Sequence, residues 1–384
     1  MMRRREIPLL AAVFLDLLGF GLAFTDIQFR AKAFGAPGWL IGVTLASYYL
    51  TQMLVSPLWG RVSDRAGRKP VLLACTLLSA ASFFVYGWSW NVPLIVLSRV
   101  LAGMAGANVV VAQAYLADIY QEDARAASLG RLNGALMAGL FAGFVAGGWV
   151  AQEYGHLAVG LAGGFASLLA VAAIYLGVPA VAPSARAEEP QGHLSLLREV
   201  PPLVPMFWLA TFGWFVLACL EGTFGLLIQE RLGLAQGWFG LIAGYETLVG
   251  AAAGFAYVFL LKAASPLTLL QAGFALQGLG ILSFPYVPQA AWLFLGASLF
   301  ALGGGVAGPT INRICSDLTP RHRQGEMFGL LQAARSVGFV LGPIVGGSLF
   351  AWRPDAPYLL AGGVALALGL LAPIALRAPR PSSR

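Results

Sequence analysis

Six ionisable residues stand inside otherwise apolar sequence: Asp16, Arg99, Glu221, Glu246 and Arg335 lie deep in such runs, and Asp26 near the end of the first. A charge placed in a hydrocarbon medium costs on the order of 2.5–3.5 kcal/mol on insertion scales, so each is a functional candidate by default. The chemistry open to them is reversible protonation of a carboxylate, neutralisation of one charge by another, or capture of a charged ligand. Other chemistry lacks its parts. His156, His193 and His322 fall in separate connections, and Cys75, Cys219 and Cys315 show no metal-ligand spacing and read as packing residues. No glycine loop followed by Lys-Ser or Lys-Thr offers a phosphate cradle. No catalytic residue, metal or cofactor is expected, and the energy for any work would come from an ion or solute gradient.

The elements that carry these charges follow from composition. With 58% hydrophobic and 11% charged residues and a mean hydropathy of +0.76, the chain lies outside the range of water-soluble proteins. A helix needs about 20 apolar residues to cross a bilayer core. Runs of that kind occur near 7–28, 38–60, 70–89, 92–117, 127–151, 157–180, 203–228, 236–261, 266–286, 290–315, 326–351 and 357–377. They are continuous rather than alternating, which predicts an all-α membrane protein of twelve transmembrane helices and not a barrel. Asp16 and the lack of a small-residue cleavage site mark the first run as a retained helix.

Basic residues orient the spans. With even-numbered connections placed inside, the 24 Lys and Arg divide as 18 inside, 4 outside (Arg30, Lys32, Arg231, Arg353) and 2 in the membrane. Both termini are therefore expected in the cytoplasm of a bacterial inner membrane. The net charge of +7 reflects topology and anionic lipid, not nucleic acid. Residues 181–202, rich in Pro, Ala and charge, read as a cytoplasmic linker, with Leu194–Leu197 either a short interfacial helix or part of a tether. An offset of 199 lays Asp118 on Asp317, Gly139 on Gly338, Gly143 on Gly342 and Gly147 on Gly346. Such a repeat predicts two pseudo-symmetric six-helix bundles, 1–180 and 203–384, with a substrate path between them. Gly139, Gly143 and Gly147 recur every four residues, as do Gly338, Gly342 and Gly346 beside Pro343. Those bare faces admit a close neighbouring backbone, either as fixed packing or as a surface on which the halves rock.

The sharpest motif is the second connection, Gly60-Arg61-Val62-Ser63-Asp64-Arg65-Ala66-Gly67-Arg68-Lys69-Pro70. Glycine permits a tight turn, and Asp64 can accept hydrogen bonds from an arginine or a helix N-terminus. The segment resembles the signature loop of the major facilitator superfamily, G-x-x-x-D-R-x-G-R-[KR]. The resemblance spans essentially the whole chain and is closest to the twelve-helix drug:proton antiporters, including tetracycline-efflux proteins. Leu15 to Gly21 resembles that group's L-D-x-x-G-x-G segment, and Arg99 to Gly106 its R-x-x-x-G-x-x-G element. The fifth-helix motif G-x-x-x-G-P-x-x-G-G appears at Gly139 to Gly148 with Phe144 in place of proline, and with the proline at Gly338 to Gly347. The resemblance implies a latch of Gly60, Asp64, Arg65, Gly67 and Arg68, completed by Asp118, that holds an outward-facing state.

Arg99 shares a stripe with Gly103, Gly106, Val110 and Gln113, a polar, narrow face expected to line the central cavity. Asp26 and Arg99 lie at compatible depths. By analogy with the antiporters, protonation of Asp26 would release Arg99 and couple proton movement to conformational change. Asp16 fits either a proton site or a packing brace. Glu221, seven residues after Trp214, offers a carboxylate beside an aromatic face, suited to an amphiphilic cation. Asn108, Gln113 and Asn312 are further substrate-binding candidates, and Glu246 and Arg335 either neutralise each other or leave Glu246 as a second proton site. The favoured expectation is proton-driven export of a hydrophobic or amphiphilic small molecule by alternating access. Uptake of a polar nutrient such as a sugar, or lipid handling, are the alternatives. The expected partners are that solute, protons and membrane lipids, with no nucleic acid, and the chain is expected to act as a monomer.

Overall fold

A computed structural model describes residues 2–181, 193–320 and 323–376. Residues 182–192 of the expected linker, His322 and the C-terminal residues 377–384 lie outside it. Every regular element described is helical: α1 (Met2–Ala33), α2 (Gly38–Ala66), α3 (Arg68–Gly87), α4 (Val92–Ala105), α5 (Asn108–Ile119), α6 (Glu122–Gly177), α7 (His193–Glu199), α8 (Leu203–Glu221), α9 (Phe224–Leu232), α10 (Gln236–Ala263), α11 (Pro266–Ser283), α12 (Ala290–Leu318), α13 (Gln324–Trp352) and α14 (Ala356–Leu376). Where helices start, the signals are local. Asn91 accepts from Leu94 N at 3.0 Å and Ser265 from Thr268 N at 3.2 Å, each before a proline in the first turn.

Eleven stretches among the described residues are long and apolar enough to cross a membrane, and the longest, Ala124–Gly177, has 54 residues. At about 1.5 Å per residue a straight helix of that length would far exceed a bilayer. It is broken at Gly155, whose φ of 76° and ψ of 177° are open to glycine. Counted as two crossings, it brings the total to twelve. The fourth expected span is interrupted too, between α4 and α5 at Gly106 and Ala107. Its freed carbonyls are satisfied from α2: Gln52 Nε2 donates to Gly106 O at 2.8 Å and Trp59 Nε1 to Met104 O at 2.7 Å.

The chain divides into two compact units. Unit 1 is Met1–Pro37, Val43–Ala187 and Ile228–Gly244; unit 2 is Gly38–Gly42, Glu188–Leu227 and Tyr245–Arg384. In unit 1, Cβ atoms on Gly139, Gly143 and Gly147 would strike α1, at Leu17 Cβ (3.1 Å), Gly21 Cα (2.9 Å) and Leu22 Cα (2.6 Å). In unit 2, Gly338, Gly342 and Gly346 meet α8 in the same way, at Trp214 Cβ (2.8 Å), Phe215 O (2.9 Å) and Cys219 O (2.7 Å). The repeat in sequence is thus a repeat in packing, and both glycine stripes lie inside a unit. The glycines next in line, Gly148 and Gly347, receive Gln236 O of α10 and Gly38 O of α2. Phe144, at the proline position, fills an aromatic contact with Phe24 at 5.4 Å between centroids. The segment Leu194–Leu197 is helical within α7, with Leu196 wholly buried in the unit 2 core.

Candidate functional site

The α2–α3 connection assembles three charges. Gly67 turns the chain at φ 91°, which points Arg68 back toward α2 and across to the end of α5. Its Nη1 donates to Asp64 Oδ1 at 2.5 Å and Ser63 Oγ at 3.0 Å, and its Nε to Asp118 Oδ2 at 2.8 Å. The three polar partners therefore meet within unit 1. Arg65 is exposed and makes no polar contact among the described residues; a Cβ on Gly60 would meet nothing. The Asp64 side chain is 41% exposed against 21% for Asp118, and exposed pairs contribute little. We therefore expect Asp118→Asn to destabilise the protein more than Asp64→Asn, by about 1 kcal/mol in a double-mutant cycle with Arg68→Lys. Equal effects in thermal unfolding would contradict this ranking. Beside it, Glu6 accepts from Arg131 Nε (2.9 Å) and Nη2 (2.8 Å) and from Tyr120 Oη. Burial, then the bond to Glu6, push the Tyr120 phenol up to about 12. Nothing in the sequence announces this clamp, because Tyr120 and Arg131 stand 114 and 125 residues from Glu6.

Asp26 is 3% exposed and Arg99 2%, but the expected ion pair between them is not formed. Tyr86 stands between them: its hydroxyl donates to Asp26 Oδ2 at 2.6 Å, and Arg99 lies over its ring at 5.4 Å. Gln236 Nε2 donates to Asp26 Oδ1 at 3.2 Å, while Arg30, one turn along α1, donates to Ser89 O at 3.0 Å. Arg99 has only a 3.4 Å bond to Ser98 Oγ, and its buried Nη2 has no hydrogen-bond partner among the described residues. A tyrosine near a span end reads in sequence as an interface aromatic, and Gln236 as a helix start, so neither announced itself. Gln236 also lines a pocket of about 490 Å³ with Phe29, Lys32, Gln152 and Gln229, where Lys32 pairs with Glu230 at 2.8 Å. The stripe expected from Arg99 to Gln113 is not one face: Gly103 and Gly106 are filled by α2, and Arg99 is buried while Gln113 is exposed.

Asp16 accepts from Ser79 Oγ at 2.8 Å and Asn108 Nδ2 at 3.1 Å. Asn108, 5% exposed, is thereby a partner of Asp16 rather than a group presented to a solute. In unit 2, Asn312 is exposed on α12. The expected Glu246–Arg335 pair is absent: Arg335 instead lies over the rings of Trp214 (4.8 Å) and Phe339 (5.3 Å). Trp214 therefore presents a face to a protein cation. Glu246, half-buried on α10, has no polar partner among the described residues.

Two helical units with charges sequestered in long apolar helices describe a multi-pass membrane protein. Sequence comparison gives the family: residues 9–262 and 222–384 match the Major Facilitator Superfamily, and the chain belongs to it. It is 26% identical to multidrug resistance protein 1 of Bacillus subtilis (strain 168), over 97% of this chain and 96% of that protein. It is 28% identical to the class C tetracycline resistance protein of Escherichia coli, again over 97% and 96%. Among solved structures, the nucleoside transporter NupG superposes with a TM-score of 0.81 at 14% identity, over 98% of this chain and 100% of that one. At that identity the likeness speaks for the fold.

Proposed function

We propose that the chain is a proton-coupled exporter of hydrophobic or amphiphilic small molecules. It would act as a monomer by alternating access in a bacterial cytoplasmic membrane, with both termini inside. The observation that carries this reading is Asp26, a buried carboxylate held by the hydroxyl of Tyr86 and the amide of Gln236, with no ion pair among the described residues. The full-length similarity to multidrug and tetracycline resistance proteins supports the class of solute. A proton arriving at Asp26 removes its charge and weakens both bonds, because each is strongest to an ionised acceptor. One of those bonds joins α1 to α10, so proton binding loosens a joint between distant parts of the sequence. Phe20, Tyr48 and Phe144, half-buried and linked through the buried ring of Phe24, offer apolar area to an aromatic solute.

The test is reconstitution in proteoliposomes with an imposed pH gradient and a panel of lipophilic compounds. Accumulation that collapses with the gradient is expected. Solute movement indifferent to the gradient would remove the proton-coupled reading, and lipid movement without solute movement would favour lipid handling.

A further inference from the structure

We propose that Arg335 is an anion-binding residue of unit 2 that receives the carboxylate of an amphiphilic solute. The inference rests on the transport reading and narrows its substrate class.

Arg335 belongs to α13, a span of 29 residues that begins at Gln324. Its position places it about 16 Å along the helix axis, well within the membrane. An arginine at such a depth ordinarily pairs with a carboxylate or reaches back to the near surface. This one does neither. No carboxylate or other acceptor meets its guanidinium among the described residues. Its guanidinium lies 5.3 Å from the ring of Phe339, one turn deeper along α13. The residue is nonetheless exposed, as is Gln332 one turn before it, and Phe328 on the same side is 53% exposed. A charge with five donors, exposed at this depth and unpaired, requires a water-accessible face and not lipid.

The arm is prepared for a ligand. Gly338 lacks the side chain that would strike Trp214 Cβ at 2.8 Å, so α8 packs close and sets the indole beside Arg335. Trp214 and Phe339, 5.4 Å apart, hold the guanidinium by cation–π contact, which uses its face and leaves the N–H edge free. That edge matches a carboxylate in a two-point fork, and the weakly hydrated guanidinium gives up little water to form it. Half-buried Trp214 and exposed Phe328 provide apolar area for the rest of the molecule. A carboxylate-bearing aromatic amphiphile, anionic or zwitterionic, fits both features; a simple lipophilic cation would meet a like charge.

The experiment measures equilibrium binding to the purified protein of three probes with one aromatic body: 4-(1-pyrenyl)butyrate, the corresponding alcohol and the corresponding trimethylammonium. We expect the carboxylate to bind about tenfold or more tighter than the alcohol. Arg335→Gln should erase that preference without changing alcohol binding, and Arg335→Lys should keep only part of it. Equal binding of carboxylate and alcohol to the wild-type protein would overturn the proposal, as would a uniform loss for all three probes in both variants. Should Arg335→Gln fail to fold, the wild-type and lysine measurements decide. Displacement of the carboxylate by phosphatidylglycerol, with no preference remaining in its presence, would reassign the anchor to lipid and overturn the solute reading. Because binding needs no gradient, gradient-driven transport of other compounds with no carboxylate preference sinks this inference alone. Arg335-dependent binding without gradient-driven transport sinks proton coupling alone.

Discussion

Replacing Asp26 with asparagine should abolish gradient-driven transport in proteoliposomes while the protein still purifies as a folded species. Asparagine keeps the shape of the buried side chain and can still accept at its carbonyl, and the Tyr86 hydroxyl, 2.6 Å away, can turn to accept from the new amide. What it cannot do is bind and release a proton. The expected loss of coupled flux is complete, while solute exchange without a gradient persists. Tyr86→Phe is the companion measurement: it retains the ring under Arg99, 5.4 Å from the guanidinium, and removes one hydrogen bond to the carboxylate. A bond to a charged group contributes about 1.5–3 kcal/mol, so a rate lowered by about tenfold or more but still gradient-driven is expected. Coupled transport that survives Asp26→Asn at the wild-type rate would move the proton site elsewhere in the chain.

The second large effect is steric. Gly143→Val should prevent accumulation of folded protein, because a Cβ at that position would lie 2.9 Å from Gly21 Cα and 3.0 Å from Leu18 Cα. A Cβ on Gly21 would in turn lie 2.8 Å from Gly143 Cα. Both sides of the contact are backbone, so no rotamer change relieves it. Overpacking of this sort typically costs about 1–3 kcal/mol and more where backbone must move, and it would separate α1 from α6. Gly130→Ala is the control, since nothing lies within 4 Å of a Cβ there. It should change the unfolding temperature little. A valine variant as stable as the wild-type protein would show that the two helices can part without harm.

Much of the fold is legible in the chain because crossing a bilayer is a constraint on each segment by itself. The runs that become α2, α3, α8 and α10 to α14 stand out by length and hydropathy alone. The turn at Gly155 falls in the gap expected between the fifth and sixth spans, although α6 continues as a helix on either side of it. The Asp64–Arg68 contact is legible too, being an i,i+4 pair on one short connection. Asp118 is 50 residues away from Arg68, and only the family resemblance pointed to it.

The break between α4 and α5 was not legible, because its freed carbonyls are answered by Gln52 and Trp59 from another span. The same holds for the two failed pairings. Asp26 and Arg99 have matching depths, as do Glu246 and Arg335, but successive residues of a helix point about 100° apart, so depth says nothing of facing. Which way each helix turns is fixed by where its glycines let a neighbour in.

The sequence by itself determined an all-helical membrane chain, its duplicated pattern, the charged loop between α2 and α3 and the short set of charges that the membrane must tolerate. Only the tertiary structure decided which of those charges meet: Tyr86 between Asp26 and Arg99, Asn108 on Asp16, and Trp214 and Phe339 under Arg335. The physical reason is that hydropathy is a property of a segment, whereas a polar contact depends on the rotation of two helices about their axes, which their packing partners set.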